Sequence, residues 1–269
     1  MAAAVYFSEK FSEDAIGRLF ERALADTAGR IGREDRVAVK VHFGEEGNSR
    51  FVSPANLRPL LACLARHHAD HFLTDANALY RGSRHNATDH LALARRHGFG
   101  ALGVPILIAD GQRGEEEAVV PIAGRIFRSV RIARLIAEAR ALVVVSHFKG
   151  HILFGFGGAI KNLGMGCGSR AGKLEMHSTL KPSVGEGCTL CGRCVEVCPQ
   201  RVFEMSDRRV QVADRDRCIE CGACSGNCPS GALTVHAGVG CAAAILTGLL
   251  TGKEPSCGCD TDSGDTGCC

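Results

Sequence analysis

The sequence predicts an α/β protein: a mostly parallel sheet domain with helices on both faces, followed by a small α+β module. Up to about residue 180, short β-branched runs alternate with stretches of helical period, the order that builds a parallel sheet covered by helices. Within that region, Ala141-Leu-Val-Val-Val145 is apolar on both faces, which suits a central strand. The small module rests on a third observation, a cysteine spacing that begins at Cys188 and recurs 30 residues later at Cys218.

Taken in order, Val5 to Phe7 reads as a first strand, and Ser12-Glu-Asp caps a helix running to about Arg30. Ile16, Leu19, Phe20, Ala23 and Leu24 share one face of that helix. Arg36 to His42 is the next strand. Ser53-Pro54 opens a second helix with Leu57, Leu60, Leu61 and Leu64 as its stripe, and the chain returns as a strand over His71 to Asp75. A third helix spans roughly Ala87 to His97 and stops at Gly98. Val104 to Ala109 is a strand, Ala118 to Ile122 and Ile126 to Val130 form an antiparallel hairpin, and a helix over Ile132 to Arg140 leads into the apolar run.

Met176 to Gly187, with Pro182, Gly185 and Gly187, reads as a linker. The expected domains are therefore 1–181 for the sheet, 182–237 for the cysteine module and 238–269 for a short apolar helix and a polar tail. Within the module, Arg201 to Met205 and Arg209 to Val212 form a short hairpin, and Ala232 to His236 closes the fold.

Composition narrows the function classes. A chain of 269 residues with 45% hydrophobic and 23% charged content is ordinary for a globular protein of two domains. A formal charge of +3, no Trp and two Tyr give little for phosphate tracking or base stacking, so nucleic acid is excluded as a partner. The opening decapeptide lacks a basic n-region and a long apolar core, and no run is apolar enough to span a bilayer. The expectation is a soluble, cytoplasmic protein in which eight of the fifteen cysteines serve metal rather than disulfides.

The two cysteine runs are Cys188-x2-Cys191-x2-Cys194-x3-Cys198-Pro199 and Cys218-x2-Cys221-x2-Cys224-x3-Cys228-Pro229. Short spacers let one loop wrap three corners of a cube, and Gly192, Gly222 and Ala223 leave backbone N–H groups able to approach sulfur. Paired C-x2-C units also build four-cysteine zinc sites, but those lack the third x2-spaced cysteine and the Cys-Pro. The spacing resembles that of a bacterial-type two-cluster ferredoxin. The resemblance implies two 4Fe-4S clusters, one held by Cys188, Cys191, Cys194 and Cys228, the other by Cys218, Cys221, Cys224 and Cys198.

In open parallel sheets ligands collect at the carboxyl ends of strands. Three strand ends carry unusual residues: His42-Phe-Gly-Glu45-Glu46-Gly-Asn48, Thr74-Asp75-Ala-Asn77-Ala-Leu-Tyr80, and Ser146-His147-Phe-Lys149-Gly-His151. They are expected to converge on one cleft. His147, Lys149 and His151 alternate on an extended segment, either as a cluster for an anion or proton transfer or as a solvated loop. With Lys161, which would hold a phosphate or carboxylate or else cap a helix, they are the catalytic candidates.

The run from Phe154 to Lys173 is dense in glycine and could cradle an anion with backbone N–H groups, although it matches neither a Walker loop nor the dinucleotide fingerprint. Gly157, Gly158 and Asn162 are its candidates for holding a cofactor. Asp75, Asn77 and Tyr80 either orient a ligand or, more in keeping with their position, satisfy turn amides. His67, His68 and His71 read as helical surface, Cys63 as core, and Cys167 as a thiol placed to react.

The motifs Val-Lys-Val-His-Phe-Gly-Glu, Thr-Asp-Ala-Asn-x-x-Tyr and Ser-His-Phe-Lys-Gly-His, with the Gly-Phe-Gly-Gly-Ala-Ile-Lys-Asn-Leu-Gly-Met-Gly run, resemble an uncharacterised bacterial and archaeal family. It is the one numbered 362 among domains of unknown function, and its members often carry a two-cluster ferredoxin module after this domain. The resemblance covers roughly residues 35 to 180 and implies no particular reaction. The reading that results is an iron-sulfur oxidoreductase passing electrons between a redox partner protein and an anionic small molecule, or an organic redox cofactor, in the cleft. The alternative is a non-catalytic electron carrier or assembly factor, for which Cys241 and the tail thiols Cys257, Cys259, Cys268 and Cys269 would handle metal or sulfur.

Overall fold

In the computed structural model the described residues run from 4 to 234, apart from 10–11, 27–33, 68–69, 81, 123–127, 152–154, 178–181, 216 and 219–222. The helix expected over 238–250, Cys221, Cys241 and the tail cysteines lie outside them, as does the arm from Ile126.

The first element is helix α1 (Glu13–Asp26), whose Ala15 N–H donates to Ser12 Oγ at 3.2 Å. Val5 to Phe7, expected as a strand, is not one: Val5 is 89% and Phe7 81% exposed, so the apolar run finds no sheet to join. Strand β1 (Arg36–Val41) follows, then a 3-10 turn over Pro54–Leu57 that runs into α2 (Arg58–Arg66), and β2 (Asp70–Asp75). Helix α3 (Ala87–Arg96) starts at Asn86, whose side chain accepts the Asp89 N–H, and β3 (Ile106–Ile108) comes next.

A hairpin, β4 (Glu117–Pro121) with β5 (Ser129–Ala133), pairs Val119 with Arg131. Its second arm sits later than the sequence suggested and absorbs Ile132 and Ala133, leaving only Arg134–Glu138 for α4. Strand β6 (Ala141–Val145), a small hairpin of β7 (Lys149–His151) and β8 (Gly155–Gly157), and helices α5 (Ala159–Cys167) and α6 (Arg170–His177) complete the first part.

The main sheet has four parallel strands in the order β3-β2-β1-β6. β1, buried from Val37 to Val41, is a central strand, so the order corrects the placement of Ala141–Val145. That run is an edge strand of this sheet, and all five of its residues are only half-buried. Its apolar character reflects cover from both layers rather than a central place.

Val37, Val39 and Val41 of β1, with Leu73 of β2, pack on one side against Leu60, Leu61 and Leu64 of α2, Phe20 and Leu24 of α1, and Ala94 of α3. On the other side Leu142 joins Leu163 and Cys167 of α5 and Ile136 of α4. Each fully buried leucine contributes on the order of 1.5–3 kcal/mol, so the helical layers hold the sheet on both faces.

The C-terminal segment has short elements: β9 (Ser183–Val184), α7 (Arg193–Val197), β10 (Phe203–Met205), β11 (Val210–Val212), α8 (Ala223–Gly226) and β12 (Leu233–Thr234). β10 and β11 form the expected antiparallel hairpin. β9 pairs antiparallel with β12, Leu233 opposite Val184, so part of the expected linker is a strand.

Candidate functional site

The strand order β3-β2-β1-β6 reverses direction between β1 and β6, and open α/β sheets bind ligands at the carboxyl ends beside such a reversal. A cavity of about 360 Å³ lies there, lined by the ends of β1, β2 and β6, by β7 and by α5. That volume suits a small organic molecule. Six lysine and arginine side chains (Lys40, Arg50, Arg84, Lys149, Lys161 and Lys173) reach the lining against the two carboxylates of Glu45 and Asp75.

One wall is a buried ion network. Lys40, 1% exposed, sits on the face of β1 opposite its valines, and its Nζ meets Asp75 Oδ1 at 2.9 Å. Arg84 Nη1 donates to Asp75 Oδ2 at 3.1 Å and its Nε to Glu45 Oε1 at 2.8 Å. The Tyr80 hydroxyl donates to Glu45, and Arg84 donates to that hydroxyl oxygen. Burial opposes ionisation of Asp75, but Lys40, His90 and Arg84 outweigh it and hold the carboxyl well below the usual carboxylate range. Burial, reinforced by Glu45, pushes the Tyr80 phenol up to about 12, so it stays protonated.

His42 stands at the end of β1. Its Nδ1 accepts the Gly44 N–H at 2.8 Å, while its Nε2 lies 3.9 Å from Glu45 Oε1. Burial, then the charge of Arg84, holds the imidazole well below the ordinary histidine range, although 35% of the ring still faces open space. The ring is therefore neutral near pH 7, with its proton on Nε2, a hydrogen-bond donor at the cavity. Gly44 makes this turn possible: its φ is +92°, and a Cβ there would lie 2.6 Å from Phe51 Cδ1.

The opposite wall carries most of the residues singled out from sequence. His147, Lys149, Gly157, Gly158, Lys161 and Asn162 all line the cavity. Burial, then the charge of Lys149, pushes the Lys161 amine down to about 8. His151 lies on β7, and its side chain is outside the described set.

Asn162 is committed to protein contacts. Its Oδ1 accepts from Lys40 Nζ at 2.6 Å, and its Nδ2 donates to Val145 O and Ser146 Oγ, both at 3.0 Å. It ties α5 to β1 and β6 and orients Lys40. Asn77 is committed likewise, donating from N and Nδ2 to Asp110 Oδ1 at 2.9 Å each. Cys167, expected as a reactive thiol, is 6% exposed in the core of the second face, and burial pushes its thiol up.

Sequence reasoning left Lys40, Arg84 and Lys173 out of the candidates. A signal for Lys40 was present, a lysine inside the apolar strand Val37-Ala-Val-Lys-Val41. Lys173 lies on α6, buried, donates to Gly168 O at 2.7 Å, and is pushed down to about 8 by burial. Arg84 follows no pattern in the sequence; only the loop after β2 brings it back under the strand ends.

A second constellation lies in the C-terminal segment. Cys188, Cys191 and Cys194 line one small cavity together with Cys228, whose loop the β9–β12 pairing brings alongside. Gly192, with φ +73°, turns the chain into α7 so that Cys194 points inward, 6% exposed. Cys218 and Cys224 are buried in the same packed cluster, where Cys198 is half-buried and its sulfur accepts the Val202 N–H at 3.3 Å. No disulfide joins any of the nine described cysteines.

Among curated proteins, an uncharacterized ferredoxin of Methanocaldococcus jannaschii is 47% identical over 61 residues, which is 23% of this chain and 97% of that protein. A ferredoxin of Methanothermococcus thermolithotrophicus is 44% identical over 45 residues, 17% of this chain and 75% of that one. No solved structure matches. The family model described as "Domain of unknown function (DUF362)" matches residues 37–249, across both the sheet and the cysteine segment, and the chain belongs to that family.

Proposed function

We propose that this chain is an iron-sulfur oxidoreductase that carries electrons through two 4Fe-4S clusters to or from an anionic small molecule held in the cavity of the parallel sheet. The observation that carries the reading is the meeting of Cys188, Cys191 and Cys194 with Cys228, from the other motif, around one cavity. Three close thiols and a fourth from the partner run are the donor set of one cubane, and Cys218, Cys221, Cys224 and Cys198 supply the other. The donors fit the group: no disulfide joins the described thiols, Cys194, Cys218 and Cys224 are buried in one cluster, and Cys198 already receives a backbone N–H. The clusters, when bound, supply one-electron transfer.

The chain's own residues supply binding and protons. Lys149 and Lys161 attract a carboxylate or phosphate, aided by the amides at the start of α5 after Gly157 and Gly158. Phe51, Val52, Leu79 and Val145 enclose its apolar part, His42 Nε2–H offers it a hydrogen bond, and His147 is the proton donor. Ferredoxin relatives support a redox partner protein as the other end of the path.

Those relatives also support a second reading, a carrier without its own reaction. The two differ in one experiment. The reduced protein is mixed anaerobically with a panel of reducible anions, such as 2-oxo acids and 2-enoates and phosphate esters that carry a carbonyl group, and cluster reoxidation is followed in the visible. An oxidoreductase is reoxidised by some member of the panel in wild type and at least about tenfold more slowly in Lys149→Ala and Lys161→Ala, at unchanged iron content. Indifference of all three proteins to every anion, with normal transfer to an acceptor ferredoxin, would leave only the carrier.

A further inference from the structure

We propose that Glu21, Cys63 and His67 form a binding site for a borderline divalent cation of the zinc class, held between α1 and α2. It uses no residue of the cavity or of the cysteine motifs.

Cys63 and His67 are four residues apart, which puts them on one face of α2, and Glu21 reaches them from α1. One carboxylate oxygen, the Cys63 sulfur and a His67 ring nitrogen all lie within 4.8 Å of one another. His67 Nε2 is 3.4 Å from Glu21 Oε2. The donor set selects the metal. Calcium and magnesium take oxygen and reject thiolate, while one sulfur, one imidazole and one carboxylate suit zinc, which commonly completes such a three-residue set with water.

Access and charge fit as well. The Cys63 residue is fully buried, but the His67 and Glu21 side chains are 52% and 41% exposed, so an ion can enter from solvent and keep a water on that side. The charges balance: the carboxylate and a thiolate neutralise a dication, the thiol proton leaving to solvent as the metal–sulfur bond forms. Arg66 donates its Nε to Glu21 Oε1 at 3.0 Å. It holds one carboxylate oxygen while the other faces His67, the part an outer partner plays in orienting a ligand. A surface ion pair alone accounts for Arg66 and Glu21 but gives no reason for a thiol and an imidazole to meet at the same oxygen.

The test is zinc loading of the anaerobically purified full-length protein, followed by desalting, elemental analysis and zinc K-edge absorption. About one zinc per chain beyond the iron is expected, with a first shell of one sulfur and otherwise nitrogen and oxygen. His67→Ala, at a half-exposed position that folding tolerates, should weaken zinc binding at least about tenfold with iron unchanged. Cys63→Ser should do the same, and zinc should raise the thermal midpoint of the wild type but not of His67→Ala. Three results would overturn the site: no retained zinc, a shell of sulfur alone as C-terminal cysteines would give, or equal zinc affinity in wild type and His67→Ala.

Discussion

Asp75 shows how single side chains set up the cavity. It is 2% exposed and shared by Lys40 and Arg84, so removing its charge leaves buried Lys40 without a carboxylate and Arg84 with Glu45 alone. Asp75→Asn should cost about 3–5 kcal/mol in chemical denaturation, and adding Lys40→Met should return part of that loss, because paired removal avoids an orphaned charge. The sign with pH follows from the depressed carboxyl. Its contribution is full above the ordinary carboxylate value of about 3.9 and is lost as pH falls through the lower folded value, so acid unfolding of Asp75→Asn should be the less steep. Lys161 acts in a different window. Its amine, near 8, is charged below that pH, so affinity for an anion such as benzoate or phosphate should fall as pH rises through about 8. Calorimetric titration of Lys161→Ala should show about tenfold weaker binding and a smaller step, the remainder coming from Lys173. At this scale the exposed, chemistry-bearing letters at strand ends were legible. The buried ones were not, because a lysine in a strand or an arginine in a loop acquires its meaning only from partners such as Asp75 and Glu45, distant in sequence.

At the level of elements, patterns that depend on the local chain were readable and those that depend on neighbours were not. The stripe Leu57, Leu60, Leu61 and Leu64 marks its helix because its period is set by the chain itself. Whether Ala141–Val145 is central or at an edge depends on what pairs with it, and an apolar run reads alike in both places. The glycine-rich run from Gly158 to Gly172 reads as loop by propensity, yet it forms α5 and α6, since close packing against the sheet needs positions without side chains. Gly172 is the sharpest case: a Cβ there would lie 2.3 Å from Arg131 O on β5. Gly172→Ala, a substitution that favours an isolated helix, should therefore destabilise the protein by about 1–3 kcal/mol in a denaturant titration. An unchanged or raised midpoint would mean that α6 does not rest on the hairpin in this way.

For the whole molecule, one family model runs across sheet and cysteine segment together. That Cys188, Cys191 and Cys194 stand close together was legible, because the sequence displays their spacing directly, whereas the arrival of Cys228 beside them depends on the pairing of β9 with β12. The reversal between β1 and β6 was legible only as strand ends, since strand order is a property of the assembled sheet. If the motifs exchange their fourth ligand, Cys228→Ser should disturb the cluster on Cys188, Cys191 and Cys194 while the other keeps its iron, so about half the iron should remain. The most direct measurement is iron and acid-labile sulfide per chain in anaerobically isolated wild-type protein. The account expects about eight of each. Zinc at the motif cysteines with no labile sulfide would contradict it.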